Sequence, residues 1–265
     1  MHQTTVTHWD QGWAPLYDAL DNARAPKEYS DFYASLTGPD TGSLLDVGCG
    51  TGSITSVVAE RLRAHGADRP VTGVDLSQDM LDVAARRHPD VEWLLGDIRH
   101  PPVAGRRYDL AICCFYTMQV LSTDEDLATA FASIREALTD GGRFAFDIHQ
   151  PNTEFLSMAA AGGLEDGRVV REFTDGTGRA LRIREHSTYD PESLLFSGTW
   201  HLHDGETDER IEIAPMVQTL RQIFPDVAER LLDGAGLKIV ERYGDLDRSA
   251  FTPSSKRQVL VCARR

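Results

Sequence analysis

The sequence lacks both a long apolar run and a paired-cysteine framework. No apolar stretch reaches the roughly 20 residues that span a bilayer, and the opening MHQTTVTHWDQGWAP shows no basic and apolar leader. The cysteines form no C-x-x-C motif; they are Cys49, Cys113, Cys114 and Cys262. We therefore expect a reduced, cytoplasmic protein without disulfides, a zinc site or a signal peptide.

Basic residues are scarce relative to acidic ones. The 265 residues include 27 lysines and arginines against 41 aspartates and glutamates, for a formal net charge of -14 at pH 7. Such a surface repels phosphate backbones and anionic lipids, so we expect no nucleic-acid partner and no membrane partner. The 41% hydrophobic content suffices for a sizeable core in one large domain. We expect a monomer or a homodimer.

Strand-like and helix-like patterns alternate along the chain, which predicts an α/β sheet protein. The first strands are predicted at Ser43–Val47, Val71–Asp75, Val91–Leu95, Tyr108–Phe115 and Arg143–Ile148. The helices are predicted at Leu16–Leu20, Glu28–Leu36, Ile54–His65, Gln78–Arg87, Asp124–Leu138 and Pro225–Gly236. From about Leu164, alternating patterns split by Gly- and Asp-rich turns predict antiparallel hairpins. Two closing strands are predicted at Leu237–Tyr243 and Gln258–Ala263.

The run LLDVGCGTG at residues 44–52 places three glycines between a predicted strand and a predicted helix. Glycine permits positive φ and a close approach of ligand to backbone, and the helix N-terminus behind it offers free N–H groups. The pattern predicts a cofactor cradle at the carboxyl ends of the strands in a doubly wound sheet. The nicotinamide fingerprint G-x-G-x-x-G/A fails, because Ser53 stands at its third position. Asp46 suits a ligand ammonium group better than a pyrophosphate.

Five ordered segments resemble the class I S-adenosylmethionine-dependent methyltransferases. LLDVGCGTG resembles motif I, VTGVDLSQDML the second motif and LLGDIRHPP the third. YDLAICCFYTMQVL resembles the fourth strand with its loop, and LTDGGRFAFDI the turn into strand five. The resemblance covers residues 44–148 and implies S-adenosylmethionine as cofactor and S-adenosylhomocysteine as product. It also implies a Rossmann-like doubly wound seven-stranded sheet with an N-terminal helical cap and an antiparallel β insertion after strand five.

The resemblance implies roles for individual residues in the cofactor site. Asp75 would accept the ribose hydroxyls, and Asp97 would accept the adenine amine beside the Ile98 N–H. For Asp75 the alternative is a helix cap, which Ser77 can already supply; for Asp97 it is an ordinary turn acid. The full set of predicted cofactor-binding residues is Asp46, Gly48, Cys49, Gly50, Gly52, Asp75, Leu76, Met80, Asp97, Ile98 and Phe115, with Cys49 contributing its backbone only.

Methyl transfer requires an acceptor lone pair in line with the S–CH3 bond, and a base only where the acceptor binds protonated. His149, directly after strand five, is the candidate base, with Tyr116 as the second candidate catalytic residue; a structural histidine is the alternative. The residues predicted to contact the acceptor are Tyr17, Tyr29, Gln119 and His149. For Tyr33 we favour helix packing.

The inserted hairpins carry alternating polar residues with two possible readings. His201 and His203 share a strand face, but no acidic or cysteine partner completes a ligand set, so we predict no metal site. Arg182, Arg184 and His186 would form either a basic patch for an acidic substrate or cross-strand pairs with nearby carboxylates.

We predict residues 1–42 as the cap, 43–163 as the cofactor-binding core, 164–220 as a β lid and 221–265 as the closing helix and strands. The predicted activity is methyl transfer to N or O of a small molecule. The Y-D-x-L and DFY patterns before motif I resemble bacterial enzymes that methylate amino sugars, glycopeptides and other secondary metabolites. A peptide or protein terminus as acceptor and a non-catalytic cofactor-binding regulator are the alternatives. A nicotinamide dehydrogenase is a more distant one.

Overall fold

The computed structural model describes residues 13–22, 26–66, 70–162, 164 and 167–265. Residues 1–12 and 23–25 of the predicted cap, 67–69 and 163 of the predicted core, and 165–166 of the predicted lid lie outside the described residues. Among the described residues, no helix combines the length and the apolar composition that crossing a membrane requires.

The described chain alternates strands and helices until residue 149 and then changes to a run of long strands. The strands are β1 (Leu44–Val47), β2 (Val71–Asp75), β3 (Glu92–Leu95), β4 (Tyr108–Cys113), β5 (Leu138–His149), β6 (Arg168–Thr174), β7 (Ala180–Asp190), β8 (Leu195–Asp204), β9 (Met216–Arg221), β10 (Leu237–Tyr243) and β11 (Arg257–Arg264). The helices are α1 (Ala14–Asn22), α2 (Pro26–Ala34), α3 (Ser53–Ala64), α4 (Gln78–Arg87), α5 (Asp124–Ala137), α6 (Thr153–Ala160) and α7 (Pro225–Gly234), with a 3-10 helix at Thr117–Val120.

Seven strands form the main sheet in the order β10-β11-β5-β4-β1-β2-β3. Strands β1 to β5 pair in parallel, and β11 runs antiparallel between β5 and β10. The predicted seven-stranded, Rossmann-like sheet is confirmed. Chain order reverses where β1 lies between β2 and β4, and ligands of such sheets bind at the carboxyl ends of the strands at this point.

The two faces of the main sheet carry separate apolar clusters. Phe131 of α5 packs against Phe144 and Phe146 of β5 on one face. On the other face, Tyr33 of α2 and Val58 of α3 pack in one cluster with strand residues. Side chains of β5 therefore alternate between the faces, which places Ala145, Asp147 and His149 on the side covered by α2.

The predicted antiparallel hairpins form a second sheet of four strands in the order β6-β7-β8-β9. Its apolar side packs on α1, where Trp13 and Leu20 meet Ile183, Trp200 and other strand residues. Helix α1 therefore lies against this second sheet.

Several element boundaries differ from the sequence prediction by one or more residues, and the differences at α6, β5 and β4 bear on the site. Helix α6 was not predicted; Asn152 caps it by accepting a hydrogen bond from the Phe155 N–H at 3.0 Å. Strand β5 begins at Leu138, five residues earlier than predicted, and includes Gly142, whose Cβ would lie 2.9 Å from the Tyr108 carbonyl oxygen. Strand β4 ends at Cys113, two residues earlier than predicted, and the nearby residues Phe115 and Tyr116 adopt positive φ.

Two arginines of β7 form ion pairs with neighbouring carboxylates. Arg182 donates to Glu172 at 2.9 Å, and Arg184 donates to Asp208 at 2.6 Å. For these two arginines, pairing with neighbouring carboxylates is confirmed. Their charges are neutralised, so they do not form a basic patch. His203 lies beside them with its Nδ1 2.8 Å from the Asp208 carbonyl oxygen.

Candidate active site

The glycine run forms a tight loop between β1 and α3. The N–H groups of Gly48 and Cys49 donate to the Val74 carbonyl at 2.7 and 3.1 Å, which holds the loop against the end of β2. Gly48 has φ of 77°, and a Cβ on it would lie 2.3 Å from the Thr117 methyl carbon. The loop and the turn after β4 are therefore in direct contact.

Gly52 and Gly50 face different surroundings. A Cβ on Gly52 would lie 2.4 Å from the Trp93 ring, whereas a Cβ on Gly50 would meet nothing nearer than the Tyr17 ring at 3.6 Å. The absence of a side chain at Gly52 therefore accommodates the Trp93 ring, whereas the space between Gly50 and Tyr17 of α1 is open. This open space fits a ligand that lies against the loop backbone.

Asp75, at the carboxyl end of β2, is held by the loop itself. Its carboxylate accepts hydrogen bonds from the Gly50 N–H at 2.8 Å and the Ser77 N–H at 2.9 Å. Ser77 caps α4 by accepting from the Met80 N–H at 3.3 Å. Ser77 supplies the helix cap, and the bonds from Gly50 and Ser77 fix the Asp75 carboxylate beside the loop. Its contact with the ribose hydroxyls stays a prediction.

Asp46 is a buried carboxylate below the loop. One oxygen accepts from the Thr55 hydroxyl at 2.6 Å, and no described residue donates to the other, Oδ1. Burial raises the Asp46 pKa to about 7, the Thr55 hydrogen bond lowers it in part, and the charge of Asp75 raises it further. An orphaned buried oxygen with this charge fits a ligand ammonium group, as the sequence suggested.

The thiol of Cys49 is held in its protonated form. Burial, together with the carboxylates of Asp75 and Asp46, raises the Cys49 pKa well above its ordinary value. This environment agrees with a contribution from the Cys49 backbone only.

The predicted adenine residues lie at the ends of β2 and β3. Burial favours a raised Asp97 pKa, but hydrogen bonds from Arg99, at 2.5 to 3.0 Å, outweigh it and lower that pKa. An adenine contact through Asp97, which stays a prediction, would therefore share the carboxylate with Arg99.

The other predicted residues near these strand ends differ in exposure. Met80 and Ile98 are buried, whereas Leu76 is 49% exposed. Leu95, paired in register with Asp75 on the next strand, is 56% exposed.

Four of the predicted residues come together at the ends of β4 and β5. The rings of Tyr29 and Phe115 stack with centroids 3.9 Å apart, and those of Tyr116 and His149 stack at 3.4 Å. Phe115 and Tyr116 both have positive φ, 57° and 63°. Their turn continues directly into Thr117, which contacts the glycine loop. The cofactor half and the acceptor half of the predicted site are thus adjacent.

The two other predicted acceptor contacts, Tyr17 and Gln119, lie on different elements. Tyr17 of α1 lies beside Gly50. Gln119 is fully buried; its Oε1 accepts from the His149 N–H and its Nε2 donates to the Arg221 carbonyl, both at 2.7 Å. The Gln119 amide joins β5 to β9 of the second sheet, and its contact with an acceptor stays a prediction.

Asp147 and Arg257 are site residues that the sequence reasoning did not single out. Asp147 is fully buried and accepts from the hydroxyls of Tyr33 and Tyr29 at 2.7 and 3.0 Å and from the Phe115 N–H at 3.1 Å. Burial raises its pKa to about 6 against the lowering effect of these donors and of Arg257. The available signal was an acid within the apolar strand FAFDI.

We expect Gly48→Ala to destabilise the fold, because its Cβ would overlap the Thr117 methyl group at 2.3 Å. Overpacking of this kind typically costs about 1–3 kcal/mol, in addition to the strain of positive φ. Adding Thr117→Ser removes the methyl group and keeps the hydroxyl that donates to the Cys114 carbonyl at 2.7 Å. Denaturant unfolding of both variants tests this, since an equal loss of stability in the double variant contradicts the proposed overlap.

Comparison with known proteins gives a consistent family. A model described as a methyltransferase domain matches residues 44–142. The chain is 36% identical over 185 residues to the dTDP-3-amino-3,4,6-trideoxy-alpha-D-glucopyranose N,N-dimethyltransferase of Streptomyces venezuelae, covering 66% of this chain and 75% of that protein. It is 31% identical over 142 residues to the putative methyltransferase YqeM of Bacillus subtilis (strain 168), covering 52% of this chain and 55% of that protein. The chain thus spans little more than half the length of YqeM.

A solved structure agrees over nearly the whole chain. The CcbJ methyltransferase from Streptomyces caelestis aligns with a TM-score of 0.75 and 25% identity, covering 97% of this chain and 98% of that chain. The similarity therefore includes α1, α2 and the second sheet as well as the glycine loop.

Proposed function

Because this chain belongs to the class I S-adenosylmethionine-dependent methyltransferases, we propose that it is an enzyme that methylates an amine nitrogen of a small molecule, an amino sugar. The observation that carries the proposal is the contact between Thr117 and Gly48. It places the turn with Phe115 and Tyr116, and the stacked His149, next to the glycine loop. The Streptomyces venezuelae relative, whose printed name gives an amino sugar as substrate, supports nitrogen over oxygen as the acceptor atom.

Different residues have the proposed roles of binding the cofactor, orienting the acceptor and removing its proton. The cofactor supplies a methyl group already activated on a sulfonium. The glycine loop, Asp75 and Asp46 hold the cofactor, and the aromatic residues after β4 orient the acceptor, which can lower the barrier by several kcal/mol. A protonated amine has no lone pair, so its proton must leave before transfer, and His149 is the group that we propose receives it.

We also propose that the second sheet, β6 to β9, covers the acceptor. Two features support this role. Gln119 joins the residues before α5 to Arg221 at the end of β9, and Trp13, directly before α1, donates to the Ala214 carbonyl in the β8–β9 connection at 2.8 Å. The proposed location is the cytoplasm, supported by four free thiols.

The experiment is an incubation with S-adenosylmethionine and dTDP-3-amino-3,4,6-trideoxy-alpha-D-glucopyranose, followed by mass spectrometry. A gain of one or two CH2 groups on the sugar supports the proposal. The matched control is the same sugar with a hydroxyl in place of the amine. Methylation of the hydroxyl sugar alone would make the enzyme an O-methyltransferase, and cofactor binding without any transfer to amines or peptide termini would favour a regulator.

We expect His149→Ala to lower kcat by about 100-fold with the amino sugar, the effect typical of losing a general base. Its affinity for S-adenosylmethionine should be unchanged, because the predicted cofactor contacts lie on other residues. Tyr116→Phe, which retains the ring that stacks on His149, is the companion variant. A pH–rate profile of His149→Ala that matches the wild type would return His149 to a structural role.

A further inference from the structure

Asp147 lies at the centre of a buried hydrogen-bond network that joins four parts of the chain. Its side chain, on β5, accepts from Tyr29 and Tyr33 of α2 and from the Phe115 N–H after β4. Arg257 of β11 extends the network by donating to the Tyr29 hydroxyl at 3.0 Å. The carboxylate therefore has donors on both of its oxygens, and these donors stabilise its ionised form against the cost of burial.

The network supports a strained turn. Non-glycine residues seldom adopt positive φ, yet two consecutive ones do so at Phe115 and Tyr116. Such a conformation persists only where surrounding contacts fix it. The contacts present are the bond from the Phe115 N–H to Asp147, the stacking of Tyr29 on Phe115 and the stacking of His149 on Tyr116.

Arg257 ties both stacked pairs together. Its guanidinium lies 5.4 Å from the centroid of the Tyr29 ring and 5.7 Å from that of Tyr116. Its Nε lies 3.0 Å from Asp245, which places a negative charge beside the arginine. Arg257 pairs in register with His149 across β11 and β5, so the candidate base and this cation share one face of the sheet.

We propose that Asp147 is a positioning residue for methyl transfer, holding helix α2 and the Phe115–Tyr116 turn in the one arrangement that closes the site. This role rests on the proposed function, because the turn carries residues assigned to the cofactor wall and the acceptor. Asp147 itself contacts no reacting atom. It acts through Tyr29, Tyr33 and the Phe115 backbone.

The test compares Asp147→Asn with Asp109→Asn. Asp109 is a matched control, since it also accepts from several donors: the Gly42 N–H, the Ser43 hydroxyl and the Thr139 hydroxyl. It lies at the start of β4, the opposite end from the site. The primary readout needs no acceptor: it is the dissociation rate of S-adenosylhomocysteine, followed by tryptophan fluorescence, because Trp93 lies against the loop at Gly52.

We expect Asp147→Asn to raise this dissociation rate by about tenfold, as expected for losing hydrogen bonds to a charged group. With the amino-sugar probe, kcat should fall by a similar factor, whereas Asp109→Asn should change neither value. An unchanged dissociation rate in Asp147→Asn, or an equal rise in Asp109→Asn, would overturn the proposal.

Tyr33→Phe provides a second, milder variant for the case that Asp147→Asn does not fold. It removes one hydroxyl and keeps the buried ring, and we expect a smaller rise in dissociation rate. In a double variant the two effects should be less than multiplicative, because both remove the same bond. Multiplicative effects would contradict a shared network. A wild-type enzyme that binds S-adenosylhomocysteine but leaves the amino sugar unmethylated would refute the acceptor, while the dissociation rates would still decide the role of Asp147.

Discussion

Gly50→Val is expected to abolish S-adenosylmethionine binding while the chain remains folded. In the structure a Cβ at this position meets only the Tyr17 ring, at 3.6 Å, which is ordinary van der Waals contact, so the Cβ itself displaces no protein atom. The added methyl groups would instead fill the space between the loop and α1, which is the proposed position of the ligand. They would also disturb the Gly50 N–H that donates to Asp75.

The measurement is calorimetric titration with S-adenosylmethionine, S-adenosylhomocysteine and NAD in parallel. We expect at least about a 1,000-fold loss of affinity for the first two, or roughly 4 kcal/mol. Gly66→Val is the matched control. Gly66 also has positive φ, 82°, but a Cβ there meets nothing within 4 Å. Both variants therefore bear the backbone strain of about 1–3 kcal/mol, and only Gly50→Val should lose the ligand. A normal isotherm from folded Gly50→Val would show that the cofactor does not bind against the glycine loop. Binding of NAD alone would show that NAD, and not S-adenosylmethionine, is the cofactor.

Elements with local signals were predictable from the sequence. Helix α4 begins and ends where predicted, because Ser77 caps its start and the His88-Pro89 pair ends it. Strand β10 also has its predicted bounds. The positive φ values of the glycine loop follow from the residue type itself.

Features that depend on distant contacts were not predictable. The residue types of Phe115 and Tyr116 do not indicate positive φ, because their conformation is fixed by contacts with side chains of α2 and β5. Asp147 and Tyr33 are 114 positions apart in the chain yet share a 2.7 Å hydrogen bond. The preference for helix packing at Tyr33 was incomplete for this reason: its ring packs as expected, and its hydroxyl also binds the buried acid.

Asp46→Asn is expected to remove a pH-dependent loss of stability from the free protein. The folded Asp46 has a pKa of about 7 against an ordinary value of 3.8. Below pH 4 the group is protonated in both the folded and the unfolded chain. Between pH 4 and 7 the unfolded chain releases the proton first, so the free energy of unfolding falls as pH rises. A shift of about three units corresponds to about 4 kcal/mol, and above pH 7 the loss is constant.

The free energy of unfolding should be compared between wild type and Asp46→Asn by denaturant titration at pH 5 and pH 8. Other groups, Asp147 among them, also titrate in this range, so the informative quantity is the difference between the two proteins, which should change with pH in favour of the variant. Asp90→Asn, at a carboxylate whose side chain is 80% exposed, should follow the wild type at both pH values.

Cofactor binding should depend on pH in the opposite sense. A ligand ammonium group would stabilise the ionised Asp46, so binding below pH 7 must expel its proton and weakens as pH falls. In wild type at pH 6 we expect about one proton released per ligand, measured by calorimetry in buffers of different ionisation enthalpy. Asp46→Asn should release none and bind more weakly at pH 8. If Asp46→Asn lost the pH dependence of the free energy of unfolding but kept full affinity for S-adenosylmethionine, the buried charge of Asp46 would not contribute to cofactor binding. The unpaired Oδ1 makes that result unexpected, because an ionised buried oxygen without a donor carries a desolvation cost that a ligand ammonium group would offset.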